Sequence, residues 1–493
     1  MTAVTIAAAI ALSPGGAAVA SGADASGSAA NRPNIVVVMT DDQDARSLRA
    51  MPKTRRLLGD RGTTFTQAYA SFPLCCPSRA TFLTGQHSHN HGVYSNTVEG
   101  GLLQLDDSNT LPVWLRDAGY FTAHVGRYLN GYGLPLGRAI TLGEARREVP
   151  PGWNRWIGLS GRRAYRLYNY LLNQNGLLRR VGRKARHYQT DVLGRIASRL
   201  IRRQAGGGRP LFLSLATLAV HAELRPAKGE WDPPRPAPRH RGASKRKPNR
   251  LRWLPPASFN EADVSDKPDL VEKLPRFDAE QGARIRAVSR ARWESLMAID
   301  DAVAAIVRAL AERGELANTI FIFSSDQGVI LGEHRIPGGK RWLYEESARV
   351  PLIIRGPGIP AGARRGQMVS NVDLAPTILD AAGAEAGLAI DGISLLPLAR
   401  DPDAARSRAI LLESERDDLT YSGVRARGWA YLEHGPGAEE LYDMRADRFQ
   451  LESLHESPDH AGIKLALRGT LEALRDCEGT SGPAGCYREL ALP

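Results

Sequence analysis

Asn34-Ile35-Val36-Val37-Val38-Met39-Thr40-Asp41-Asp42 combines an unbroken apolar run with an acidic end. From Ile35 to Met39 the run is apolar and largely β-branched without polar alternation. That is the pattern of a strand covered on both faces, and such strands belong to parallel sheets with helices on either side. The expected class is therefore α/β. In open parallel sheets, ligands collect beyond the carboxyl ends of the strands, so Asp41 and Asp42 become candidate ligands for a hard cation. Taken singly, either could instead serve a turn or a helix cap.

Three more segments repeat the strand pattern: Tyr120 to Val125, Pro210 to Ala216 and Thr319 to Ser324. Each is followed by polar residues that would reach the same sheet edge, namely Arg127 and Asn130, His221, and Asp326-Gln327. Helices are expected at Asn109 to Gly119, at Thr190 to Arg202, and where Leu296, Ile299, Val303, Ile306, Val307 and Leu310 make one apolar face stopped by Gly314. Between strands, Phe72 to Gly85 contains Cys75-Cys76-Pro77-Ser78-Arg79. Pro77 suits the first turn of a helix, which places Cys75 at a helix N-terminus, where free N–H groups and Arg79 would favour an anion. An ordinary loop-to-helix start with a buried thiol is the plainer reading of that pentapeptide alone.

Cys75-x-Pro77-Ser78-Arg79 followed by Leu83-Thr84-Gly85 resembles the signature of the type I sulfatases, and the doubled cysteine resembles their N-acetylglucosamine-6-sulfatase and glucosamine endosulfatase branch. Further resemblance lies in Gly126-Arg127-Tyr128-Leu129-Asn130, in Ser325-Asp326-Gln327-Gly328, in Gly339 to Ser347, and in Glu440-Leu441-Tyr442-Asp443. It implies an alkaline-phosphatase-like large mixed sheet flanked by helices, with a small C-terminal α+β domain. The division would be a leader and linker over 1–30, a catalytic domain over 31–398 and a small domain over 399–493. The implied activity is sulfate-ester hydrolysis on sulfated glycans, with N-acetylglucosamine 6-O-sulfate the best guess. A phosphomonoester or phosphonate hydrolase, or a non-catalytic polyanion-binding homologue, are the alternatives.

The nucleophile implied is a hydrated 3-oxoalanine (formylglycine), made from Cys75 by a formylglycine-generating enzyme. Ca²⁺, or alternatively Mg²⁺, would be held by Asp41, Asp42, Asp326, Gln327 and the modified residue 75; these oxygen donors suit a hard cation. Arg79, Arg127 and Lys340 would neutralise the sulfate, and His221 or Lys340 would protonate the leaving alcohol. Arg127 stands where the family carries a lysine. It keeps the charge but cannot donate a proton near neutral pH. His87, His89 and His91 lack common zinc spacing and are expected behind or beside the pocket.

Over 493 residues the net charge is +12, concentrated at Arg179 to Arg186 and Arg239 to Arg252. Such runs attract polyanions, although solvated charge is their commoner meaning. No nucleic-acid module signature accompanies them. Thr5 to Leu12, followed by Ala18-Val19-Ala20, reads as a signal peptide lacking a basic start, hence secretion or a cell-envelope or periplasmic location. No later stretch is apolar over ~20 residues, so no membrane span is expected. Of four cysteines, Cys477 and Cys486 flank a short Gly-rich loop and could pair, while Cys76 reads as a buried, inert thiol. Aromatics from Trp153 to Tyr170 fit either sugar stacking or a satellite core, and residues 226–280 read as a surface excursion.

Overall fold

The structure is a computed structural model. It describes Met1 and residues 32–135, 141–225, 230–246, 255–404, 408–416, 419–435, 437–482 and 484–489. The expected leader lies outside the described residues. The first seven strands are β1 (Asn34–Thr40), β2 (Thr63–Tyr69), β3 (Phe121–Gly126), β4 (Arg155–Leu159), β5 (Leu171–Gln174), β6 (Leu177–Arg180) and β7 (Leu211–Ala216). Next come a hairpin, β8 (Glu223–Arg225) with β9 (Glu230–Asp232), and then β10 (Thr319–Ser325), β11 (Leu352–Arg355) and β12 (Ala363–Ser370). Ten of them form one mixed sheet in the order β12-β2-β11-β10-β1-β7-β3-β4-β5-β6.

Its centre, β10-β1-β7-β3-β4, is parallel. Thr40 pairs with Ser325, Met39 with Ala216, and Ala216 with Gly126. Four strands therefore end flush, and whatever follows each of them is delivered to one edge.

The unbroken apolar reading of β1 has a direct cause. Val36 and Val38 enter a core built with the helices Gln189–Gln204 and Ala279–Glu312. Ile35 and Val37 enter a second core on the opposite face, with Cys75–Thr84, Leu111–Asp117 and Leu374–Ala382. All four are fully buried. The 34-residue helix Ala279–Glu312 starts at a capping box, in which Asp278 accepts from Gln281 N (2.7 Å) and Gln281 accepts from Asp278 N (3.0 Å). Its expected apolar face is buried throughout.

Of the two readings left open for the aromatics, the core one holds for Trp153, Trp156 and Tyr170: the two tryptophans pack together in one core and Tyr170 in the other, and none of the three is open to a sugar. Nor is 226–280 wholly a surface excursion. Val264 and Val271 are buried in the cluster joining the large body to the small sheet, and the Lys267 side chain is enclosed there by Asp266 (2.7 Å), the Leu451 carbonyl (2.9 Å) and Tyr442. Low apolar periodicity hid a segment anchored by a few isolated residues.

The remaining strands, β13 (Ile410–Arg416), β14 (Leu419–Ala426), β15 (Trp429–His434) and β16 (Glu439–Asp443), form a separate antiparallel meander. One face takes Leu467, Leu471 and Leu474 of the helix Ala461–Arg475. The other packs on Tyr69, Ile330, Trp342, Tyr344 and Met368 of the large body. Cys477 and Cys486 are disulfide-bonded, and their loop is tied to the body where Gly479 N donates to Asp391 (2.8 Å). Among the described residues, no helix is long and apolar enough to cross a membrane.

Candidate active site and metal centre

Leu74 is extended, and the helix Cys75–Thr84 starts at the next residue, with Pro77 in its first turn. Every residue of this helix is buried, because it lies beneath the flush strand ends rather than on the surface. Its start is clamped from two sides. Ser78 Oγ donates to the Asp326 carbonyl after β10, and Asn371, just after β12, donates to Ser78 Oγ (3.0 Å) and accepts from Ser71 N (2.8 Å).

Around Cys75 Sγ stand Lys340 Nζ at 2.9 Å, Gln327 Nε2 at 3.2 Å and Asp41 Oδ1 at 3.6 Å. Asp42, held at φ 66°, accepts from Lys340 Nζ and Gln327 Nε2, and its other oxygen is 3.7 Å from His221 Nε2. Arg127 lies 2.7 Å from Asp41, and Arg79 bridges Asp41 (3.3 Å) and Asp326 (2.8 Å). The Asp326 carboxylate also accepts from the backbone N of Asp42 (3.0 Å) and Gln327 (2.9 Å). Asp41, Asp42, Cys75, Arg79, Arg127, His221, Asp326, Gln327 and Lys340 thus converge on one place, all of them expected from the sequence.

The electrostatics show what such a place can and cannot do. Burial, then the Asp41 charge, push the Cys75 thiol up to about 12, more than Lys340 and Arg127 pull it down. A thiolate is therefore disfavoured. Burial, then the Asp41 carboxylate, also push Asp326 up to about 7 despite Arg79. Burial would raise Asp42 too, but Lys340, then His221 and Arg292, hold it well below the usual carboxylate range. Burial and then Lys340 lower His221 to about 4. Its Nδ1 is engaged with the Ala222 carbonyl (2.7 Å), which leaves Nε2 facing Asp42. Burial alone would lower Lys340, but Asp42 and then Cys75 raise it far above the ordinary lysine value.

These residues fit a divalent cation. Ligand atoms of Asp41, Asp42, Cys75 and His221 all lie within 4.8 Å of one another. Gln327 Oε1 is buried without a hydrogen-bond partner, a cost of a few kcal/mol unless something accepts its lone pairs. Three crowded carboxylates and an orphaned amide oxygen are the donor set of Ca²⁺ or Mg²⁺.

Four residues take roles that the sequence reading did not assign. Tyr165 OH accepts from Arg127 (3.2 Å) and Asn130 (2.9 Å), with the Arg127 guanidinium over its ring at 4.5 Å. Asn130 in turn accepts from Arg127 (2.7 Å). Asn371 is described above. Arg292 donates to the carbonyls of Asp42 and Val220, bracing both strand-end loops. Its signal was present: a cation one turn before Leu296 on an otherwise apolar helix face. The three histidines do not line the site. His89 binds Glu413 on β13 (2.8 Å) and the Cys477 carbonyl (2.8 Å), His87 lies 3.6 Å from Glu413, and His91 meets Thr81 (3.0 Å). They tie the helix bearing Cys75 to the small sheet.

Comparison with known proteins agrees with this geometry. Residues 33–384 match the family model described as Sulfatase, and 332–477 match that described as N-sulphoglucosamine sulphohydrolase, C-terminal. The chain is 36% identical over 381 residues to the N-acetylglucosamine-6-sulfatase of Homo sapiens, a match taking 75% of this chain and 64% of that protein. It thus spans a little under two thirds of that relative's length. It is 31% identical over 530 residues to an arylsulfatase of Chlamydomonas reinhardtii, covering 94% of this chain and 77% of that one. A solved structure in complex with its substrate, D-glucosamine-2-N,6-O-disulfate, superposes with a TM-score of 0.70 at 25% identity, over 90% of this chain and 97% of that one. With the family match running from the first strand through every metal-ligand candidate and beyond Lys340, the chain belongs to the sulfatase family.

Proposed function

We propose that this protein hydrolyses sulfate esters of sulfated glycans, with N-acetylglucosamine 6-O-sulfate the first candidate. The observation that carries the reading is the Cys75 thiol itself. It is fully buried, raised to about 12, and surrounded by three carboxylates and the cations of Arg79, Arg127 and Lys340. A thiol there is a poor nucleophile, yet the place is built for an oxyanion and a cation. Oxidation of Cys75 to 3-oxoalanine by a formylglycine-generating enzyme would replace sulfur with a hydrated aldehyde, which supplies an oxygen nucleophile and a second hydroxyl for release of sulfate. Asp41, Asp42, Asp326, Gln327 and the modified residue 75 would hold Ca²⁺ or Mg²⁺, which supplies Lewis acidity.

The side chains do the rest. Arg79 and Arg127, rigidly placed by Asp326, Asp41 and Tyr165, offset the charge of the transferred group. Lys340 carries a proton beside residue 75, and His221 presents Nε2 to the same space; one of them protonates the departing alcohol. Arg127 contributes charge only. We assign residues 31–398 to the catalytic unit and 399–493 to the small domain, and place the mature protein outside the cytosol, in keeping with its disulfide.

Two measurements test this. Mass analysis of the Cys75 peptide from a maturing host should show the deficit of a thiol-to-aldehyde conversion. Turnover of an aryl sulfate should exceed that of the aryl phosphate and of a phosphonate ester, and a dominant phosphatase or phosphonatase activity would replace the reading with its runner-up. Desulfation of a panel of sulfated sugars then identifies the position cleaved.

A further inference from the structure

The two basic runs of the sequence take no part in the centre described above, yet the fold brings them together. Arg183 from the first and Arg241 from the second line one cleft of about 700 Å³, along with Arg166, Arg235, Tyr168 and Glu223. The runs are not uniformly available. Arg239 is consumed by Asp191 (2.7 Å) and Asp301 (2.7 Å), and 247–254, with Arg250 and Arg252, lie outside the described residues. Within the cleft, Arg235 is paired with Glu223 (2.8 Å) and lies over Tyr168 at 5.2 Å. Glu223 also accepts from Leu167 N (2.8 Å), so its charge is spent.

Arg166, Arg183 and Arg241 have no carboxylate within 4.0 Å among the described residues, and Arg166 Nε is buried without a partner. Burial, then the charges of Arg163 and Arg183, hold the Arg166 guanidinium below its ordinary value. Both observations describe positive potential at these three arginines; Asp232, the other carboxylate lining the cleft, acts with Glu223 on Arg235.

The cleft shares a wall with the catalytic pocket. Arg166 follows Tyr165, whose hydroxyl is bound by Arg127 and whose ring lies 5.6 Å from that of His221. Glu223 is two residues beyond His221, at most about 7 Å of chain. Guanidinium groups grip planar or tetrahedral oxyanions through two N–H groups at once, which suits sulfate and carboxylate alike. A nucleic acid fits less well, because the one aromatic face lining the cleft among the described residues, that of Tyr168, is covered by Arg235 rather than open for base stacking.

We propose that this cleft is a second anion subsite, which binds a sulfate or carboxylate on the sugar neighbouring the one whose sulfate ester lies at residue 75. The substrate is then an anionic oligosaccharide rather than a monosaccharide. The inference rests on the reading under Proposed function, and the test separates the two.

Arg183 and Arg241 are exposed, so the double variant Arg183→Gln/Arg241→Gln leaves the core untouched. It should lower kcat/KM for a heparin-derived tetrasaccharide about tenfold or more, equivalent to about 1.4 kcal/mol, while aryl sulfate turnover stays within about twofold. Lysines at the same two positions should restore only part of the loss, since they return the charge without the two-N–H grip. An equal loss on both substrates, or none on either, overturns the subsite. If the wild-type protein fails to turn over aryl sulfate, the catalytic reading falls, and direct titration of the tetrasaccharide still decides. Binding weakened about tenfold in the double variant supports the cleft, and equal affinity overturns it. Single-stranded RNA that binds as tightly and through the same arginines also overturns the assignment.

Discussion

Gly126→Ala tests whether the catalytic edge is positioned by the sheet itself. Gly126 ends β3 at φ 123°, opposite Ala216 of β7, and an added Cβ would sit 1.8 Å from the Ala216 carbonyl oxygen. Reaching the 3.4 Å of ordinary contact requires the strand ends to part by about 1.6 Å. The next residue is Arg127, whose backbone N donates to that same oxygen at 2.9 Å, so the opening breaks this bond as well. The lost hydrogen bond contributes about 1 kcal/mol, and backbone strain and overpacking about 1–3 kcal/mol each. The terms overlap, and about 3–5 kcal/mol of destabilisation is expected. Because the shift moves the Arg127 guanidinium by more than 1 Å, kcat/KM for an aryl sulfate should fall about 100-fold. Denaturant unfolding and steady-state turnover read the two effects. A variant that unfolds at the wild-type midpoint and keeps turnover within about twofold would refute the claim that strand register places the cation.

Three other outcomes are expected. Arg408→Met leaves the fully buried Asp373 carboxylate, which already accepts from Ser370 N (2.8 Å) and Ile393 N (3.0 Å), without its cation. A loss of about 3–5 kcal/mol should appear in thermal or denaturant unfolding, and a loss under about 1 kcal/mol would contradict it. Removing divalent ions with a chelator should lower the melting temperature. Readdition of Ca²⁺ at about 100 times its Kd should restore about 2.7 kcal/mol, and Gln327→Leu should shrink that response; indifference to both Ca²⁺ and Mg²⁺ would exclude the metal centre. Burial would lower the His89 pKa, but the hydrogen bond and charge of Glu413 outweigh it and raise it to about 9. Its folded value thus exceeds its ordinary 6.5, so the His89–Glu413 contribution is complete below about pH 6.5 and lost as pH rises through about 9. Melting curves between about pH 6 and about pH 10 should show this decline for the wild type and a flatter one for His89→Gln; identical slopes would contradict it.

The sequence alone determined whatever depends on neighbours along the chain. An apolar run covered on both faces announced β1, and Pro77 announced a helix start with Cys75 at its N-terminus. The face from Leu296 to Leu310 announced the central helix, and the acidic or amide residues after strands announced Asp41, Asp42, Asp326 and Gln327. These are short-range periodicities and breaks, set by backbone sterics and by side-chain spacing over a few residues.

Only the tertiary structure decided the rest. Asp42 N meets Asp326 across 284 residues, and Asn371 clamps Ser78 across 293. Tyr165, read as an aromatic of ambiguous use, proved to hold Arg127. The histidines, expected behind or beside the pocket, brace the helix bearing Cys75 through partners far along the chain: His87 and His89 turn to Glu413, 324 residues from His89, and His91 to Thr81. Lys267 and Val264 anchor a segment whose composition reads as exposed, and two separate basic runs meet at one cleft. The physical reason is common to all of them. A polar side chain's role is set by which donor, acceptor or charge shares its low-dielectric surroundings, and that company is chosen by strand order and register, which no local pattern encodes.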